Sequence, residues 1–196
     1  MNIKALIFSA IISFSFVSLP HQNSFAQSDL SESSSNLVSP ETKIDYSNLE
    51  NYLKNKEWRE ANNETRNIIL SATGRMDIGW VRENDLKKIS CEDLKKIDDL
   101  WYTNSNGRFG FRVQLPIYIE TGNRPGKLIA DDAYNRFGDR IGWRKDNDWI
   151  IFIENLNFTD NAPIGHLPNP RSEYSVTGGR LAYSVLAERM VQCNLN

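Results

Sequence analysis

The stretch SCEDLKKIDDLWYTNSNGRFGF, Ser90 to Phe111, carries the fold in its spacing. Ser90, followed three residues later by Asp93, resembles a weak capping box and opens a helix. Leu94, Ile97, Leu100 and Trp101 recur at helical spacing, while Glu92, Lys95, Lys96 and Asp99 can face water. The helix runs into a polar turn, Asn104 to Gly110, that holds Arg108 and is crowded by Trp101, Tyr102, Phe109 and Phe111. With aliphatic neighbours at helical spacing, Trp101 reads first as core. The turn admits two readings. Its aromatics fill space between helices, or they form the lip of a cleft for a flat, apolar, anionic ligand. In the second reading rings stack on aromatic faces and guanidinium groups pair with carboxylates at the edge.

Outward from this stretch the pattern stays helical. Asp45 can cap a helix carrying Leu49, Tyr52 and Leu53. A second helix is expected from about Glu57 to Thr73, with Trp58, Ala61, Thr65, Ile68, Ile69 and Ala72 on one side and Gly74 as its stop. Asp131 to Phe137 reads as a short helix closed by Gly138, and a last helix carries Leu181, Val185, Leu186, Met190 and Cys193. Pro116 suggests that an element over Phe111 to Glu120 starts at or kinks near it. Only Trp143 to Phe152 looks extended, around the turn Lys145-Asp146-Asn147-Asp148. A Pro- and Gly-rich loop, Pro163 to Gly179, precedes the last helix. The expected fold is mainly α: one helical domain with at most a short hairpin.

The chain divides into three parts. Lys4 and an apolar run from Ala5 to Leu19 precede Pro20 and the small residues of Ser24-Phe25-Ala26, the order of a secretory signal peptide over residues 1–26. The run is shorter than the ~18 residues of a membrane anchor, so no stable membrane span is expected after cleavage before Gln27. Export leads to a periplasmic, extracellular or lumenal space; the alternative is a plastid or membrane-associated protein. Residues 27–45 read as a flexible linker, with six Ser between Ser28 and Ser39. Residues 46–196 form the folded domain.

Composition excludes several functions. The 196 residues hold 23 Lys+Arg and 25 Asp+Glu, a net charge of −2, so nothing draws the chain to nucleic acid. Of two His, one lies in the signal, which leaves His166 and rules out two-His zinc motifs. There is no Walker loop, GxGxxG, GxSxG or Cys-x-x-Cys pattern. Asp98 and Asp99 are adjacent and point to different helix faces, which argues against a catalytic carboxylate pair. No enzymatic activity is expected.

Six short motifs in succession resemble a known family. They are Gly79-Trp80, CEDL (Cys91–Leu94), IDDLW (Ile97–Trp101), SNGRFGFRVQ (Ser105–Gln114), FGDRIGW (Phe137–Trp143) and DNAPIGHLP (Asp160–Pro168). The succession is similar to the genomes-uncoupled-four domain, the porphyrin-binding regulator of magnesium chelatase in chlorophyll-making organisms. The resemblance implies a cupped-hand helical fold whose concave palm binds protoporphyrin IX or magnesium protoporphyrin, with no obligatory cofactor. It implies a non-enzymatic regulator acting through the large subunit of magnesium chelatase. The palm is expected at Trp101, Tyr102, Arg108, Phe109 and Phe111, and the loop before the last helix supplies Asn169, Arg171 and Arg180. The alternative function is an exported protein-interaction or signalling module that keeps the scaffold without the pigment site. Cys91 and Cys193 match positions of cytosolic members, which implies buried free thiols. In an oxidising compartment they can bridge if their Cα atoms lie within about 7 Å.

Overall fold

Ser90 caps its helix as its position suggests: its hydroxyl accepts the backbone N–H of Asp93 at 3.0 Å. This central helix belongs to a computed structural model in which residues 37–171 and 179–195 are described. Among them run seven α-helices: α1 (Ser47–Lys54), α2 (Trp58–Ala72), α3 (Glu83–Leu86), α4 (Cys91–Asn104), α5 (Phe111–Glu120), α6 (Asp131–Arg140) and α7 (Arg180–Gln192). Two short strands, β1 (Arg144–Lys145) and β2 (Asp148–Trp149), pair antiparallel, and a 3-10 turn covers Ile153–Asn155. None of these helices is long and apolar enough to cross a membrane. The expected signal peptide and most of the expected linker lie outside the described residues, as do residues 172–178 of the loop before α7.

Packing follows the apolar stripes. α1 lies on α2 and α4, α4 on α5 and α7, and α5 on α6 and α7. Leu94, Ile97, Leu100 and Trp101 are buried as their spacing requires, and Gly74, at φ 66°, ends α2. Trp101 stacks on Trp58 with centroids 6.0 Å apart and donates its indole N–H to the Thr65 hydroxyl at 2.8 Å. A second aromatic group, Tyr118, Tyr134, Phe137, Trp143 and Tyr183, joins α5, α6 and α7. The hairpin is shorter than the extended stretch expected over Trp143 to Phe152. Its turn residues Asp146 and Asn147 both adopt positive φ, 53° and 68°, the twist that a two-residue hairpin needs.

Four expectations are corrected. Residues 37–45 are not a loose tether: Val38 bridges Asp45, Ser39 and Ile44 are buried, and Thr42 and Tyr46 donate hydroxyls to the buried carboxylate of Asp93. Burial of Ile44 and the two hydroxyl bonds to one oxygen of Asp93 order this segment. Gly138 does not stop α6, which continues to Arg140. α5 starts at Phe111 and runs through Pro116. Finally, Cys91 and Cys193 are not free thiols. The start of α4 and the end of α7 come together with a Cα–Cα distance of 5.1 Å, and the two sulfurs form a disulfide.

Candidate functional site

The loop after the 3-10 turn is tied down residue by residue. The buried amide of Gln114 donates to the carbonyls of Gly165 and Pro168 at 2.9 and 2.8 Å and accepts the Tyr183 hydroxyl at 2.9 Å. Trp143 donates its indole N–H to the His166 carbonyl at 2.7 Å. Arg108 donates to the Ala162 carbonyl at 2.7 Å, and its own carbonyl accepts the Gly165 N–H at 2.8 Å. Asn169 follows, with its backbone N–H on the side chain of Asn62 at 2.7 Å. These bonds deliver Arg171 to one place.

Arg171 is 5% exposed, and its guanidinium lies over Trp143 and Trp149 at 5.0 and 5.5 Å. Its Nε donates to the side-chain oxygen of Asn169 at 3.0 Å, and one terminal nitrogen donates to the Ile150 carbonyl at 3.1 Å. No carboxylate faces it among the described residues, and its other terminal nitrogen has no acceptor there. The amide nitrogens of Asn62 and Asn169 are likewise buried without acceptors among those residues. Burial pushes the guanidinium down to about 10, which leaves it cationic at neutral pH. A buried cation with neutral partners, beside two spare amide donors, is set up to receive a carboxylate.

Arg171 lies where two narrow clefts, of about 20 and 30 Å3, meet. One runs between α2, at Ile69 and Leu70, and the segment Gly79–Val81; the other runs between Leu86 of α3 and Ala182, Tyr183 and Leu186 of α7. Val81 and Pro170 border both. The lip that carries Val81 exposes Met76, Ile78 and Trp80 by about half. It is braced by Arg66 on the Gly79 carbonyl at 2.6 Å and by an Arg75–Asp85 ion pair at 2.7 Å. Beyond Trp149 opens a wider cleft of about 440 Å3, bordered by Leu128, Tyr134, Arg144, Arg180 and Leu181. Its cations are already neutralised, Arg180 by Asp131 and Arg144 by Asp139. Uncompensated charge therefore favours the narrower groove as the anion-binding one.

The sequence candidates separate accordingly. Trp101, Phe109 and Phe111 are fully buried and offer no surface to a ligand; Trp58 packs on the rings of Trp101 and Phe109. Tyr102 is exposed on the outer surface under Arg112, with the guanidinium 4.8 Å from its ring. Arg108 braces the loop. Arg171 lines the groove with buried Asn169 hydrogen-bonded to it, and Arg180 lines the neighbouring cleft. Met76, Ile78, Trp80 and Val81 are missed by the sequence reading of the palm. Their signal was the alternation of apolar residues in Met76-Asp77-Ile78-Gly79-Trp80, directly after a helix stop.

Fold and groove together define a small helical binding domain, with apolar walls and one buried cation suited to a carboxylate-bearing ligand. Residues 39–187 match the GUN4-like family profile, and the chain belongs to that family. It is 34% identical over 139 residues to the chloroplastic tetrapyrrole-binding protein of Arabidopsis thaliana, covering 65% of this chain and 49% of that protein. The Ycf53-like protein of Synechocystis sp. is 31% identical over 127 residues, covering 64% and 51%. The chain thus spans about half the length of these curated relatives. Among solved structures, ligand-free Arabidopsis thaliana GUN4 superposes with a TM-score of 0.56 at 30% identity, over 73% of this chain and 93% of that one. GUN4 from Chlamydomonas reinhardtii gives 0.59 at 28% identity, over 76% and 92%. The expected mainly α fold and the family resemblance are both borne out.

Proposed function

We propose that this chain binds a tetrapyrrole, protoporphyrin IX or its magnesium complex, in the groove over Arg171, and performs no chemistry on it. The carrying observation is the buried guanidinium without a carboxylate partner among the described residues, at the junction of two apolar clefts. A propionate of the ligand takes the free guanidinium nitrogen and the amide nitrogens of Asn62 and Asn169, while Trp80 and its neighbours cover the ring face. The ring is much larger than the enclosed space, so the lip must part from α7 on binding. His166 does not serve as an axial ligand: it is buried, with one ring nitrogen on the Ile141 carbonyl and the other accepting the Asn157 N–H. Stimulation of magnesium chelatase through its large subunit is the family's role and this chain's where the two are co-localised. With the N-terminal pattern read as an export signal, the chain acts instead as a tetrapyrrole carrier or scavenger beyond that enzyme's compartment.

Titration tests the ligand. Adding protoporphyrin IX or magnesium protoporphyrin to micromolar protein should quench tryptophan fluorescence and shift the Soret band. Trp80→Ala should weaken binding about tenfold, the scale of one lost stacking contact. A flat response to both pigments overturns the proposal.

A further inference from the structure

We propose that the Cys91–Cys193 disulfide is a clip at the base of the groove, fixing the separation of its two walls. The inference rests on the groove being the ligand site. One wall is the segment that carries Trp80, Val81 and Leu86 and ends at Ile89, just before Cys91; the other is α7, which contributes Ala182, Tyr183 and Leu186 and ends at Cys193. The bridge, with Cα atoms 5.1 Å apart, therefore joins the C-terminal ends of both walls.

Few other bonds span this base. Arg189 of α7 donates to the Ile89 carbonyl at 2.8 Å, and Leu86 packs against α7. The lip's polar anchors run elsewhere, from Arg66 of α2 to Gly79 and from Arg75 to Asp85. Without the covalent link the lip segment and α7 are held, among the described residues, by one hydrogen bond and by apolar contact. With it the mouth can open around a ligand while the base stays in register, so less of the wall must be ordered on binding.

Both of the chain's cysteines are spent on this link, so no thiol remains. Its formation takes two electrons and two protons from the two thiols, and an exchanging disulfide oxidant accepts them and becomes a dithiol. Such a bond persists in an oxidising compartment, which agrees with the export signal read over residues 1–26. The groove is then set once, on export.

The test compares three forms of the chain starting at Gln27: oxidised, kept reduced by a dithiol, and the double variant Cys91→Ser/Cys193→Ala. The non-reducing mass of the first should be two hydrogens below that of the second. Amide hydrogen exchange, followed without pigment, should quicken over residues 79–91 and 182–193 in both bridge-free forms and stay unchanged in α1 and α2. Protoporphyrin dissociation constants should rise on the order of tenfold. Equal exchange in all three forms, or loosening spread evenly over the domain, overturns the clip, as does free thiol in protein recovered from its native compartment. If the oxidised chain takes up no porphyrin, the tetrapyrrole reading fails while the exchange pattern still judges the clip.

Discussion

Arg171 holds a charge out of water with only neutral partners among the described residues. The faces of Trp143 and Trp149 and the acceptors at Asn169 and Ile150 offset part of the desolvation cost. A residue kept for folding alone could be replaced by an apolar one of similar volume. Arg171→Met is therefore expected to change unfolding stability by less than about 1 kcal/mol, while porphyrin affinity falls tenfold or more. Thermal unfolding and pigment titration on the same variant check this split. Because burial lowers the guanidinium only to about 10, affinity should be flat around neutrality and fall as pH approaches that value. His166 sets a different limit. Its ring donates through Nδ1 to the Ile141 carbonyl and accepts through Nε2, so the neutral form fits and burial lowers its pKa below 6.5. On acidification the unfolded chain binds this proton before the folded one does. The His166 contribution is therefore complete above pH 6.5 and is lost as pH falls below it toward the folded pKa. Melting temperature followed from pH 8 to 5.5 should be level and then decline; a rise on acidification would contradict this account.

At the scale of the element, α6 shows how packing overrides a local stop signal. A Cβ at Gly138 would lie 2.5 Å from the Trp149 ring, so glycine is present for close approach and the helix passes through it. Gly138→Ala gains about 1 kcal/mol of helix propensity but displaces the indole that stacks on Tyr134 at 4.9 Å and floors Arg171. The expected net loss is about 1–3 kcal/mol, read as a lower melting temperature and a changed near-ultraviolet tryptophan signal. The stripes of α1, α2 and α4 were legible because each buries a continuous face at helical period. The stripe of α7 was legible only in part: Val185, Leu186 and Met190 turn inward, while Leu181 is 47% exposed at the rim of the wider cleft. Pro116 was equally ambiguous, since its missing N–H removes one bond of α5 while the neighbours Leu115, Ile117 and Tyr118 stay buried.

At the scale of the molecule, the domain begins earlier than its composition suggests. Residues 37–45 close a stretch, 27–45, that reads as Ser-rich and polar, yet they seat Ile44 and bring the Thr42 hydroxyl to Asp93. A chain starting at Tyr46 should be about 2–4 kcal/mol less stable than one starting at Gln27, from the lost Ile44 burial and hydrogen bonds; chemical denaturation of the pair measures it. The helical content, the hairpin turn and the aromatic joint at Asn104–Gly110 were written in the sequence, because caps, periodicity and turn residues act within a few positions. The sequence also singled out Asn169 and Arg171, through family resemblance. It could not tell that Trp101, Phe109 and Phe111 are enclosed, since an aromatic residue looks the same in a core and at a cleft. Nor could it show that Arg171 lacks a counter-charge among the described residues, or that Cys91 meets Cys193. Those facts depend on Asn62, Trp149, Ile150 and the end of α7, which lie far apart along the chain, and only tertiary packing brings them together.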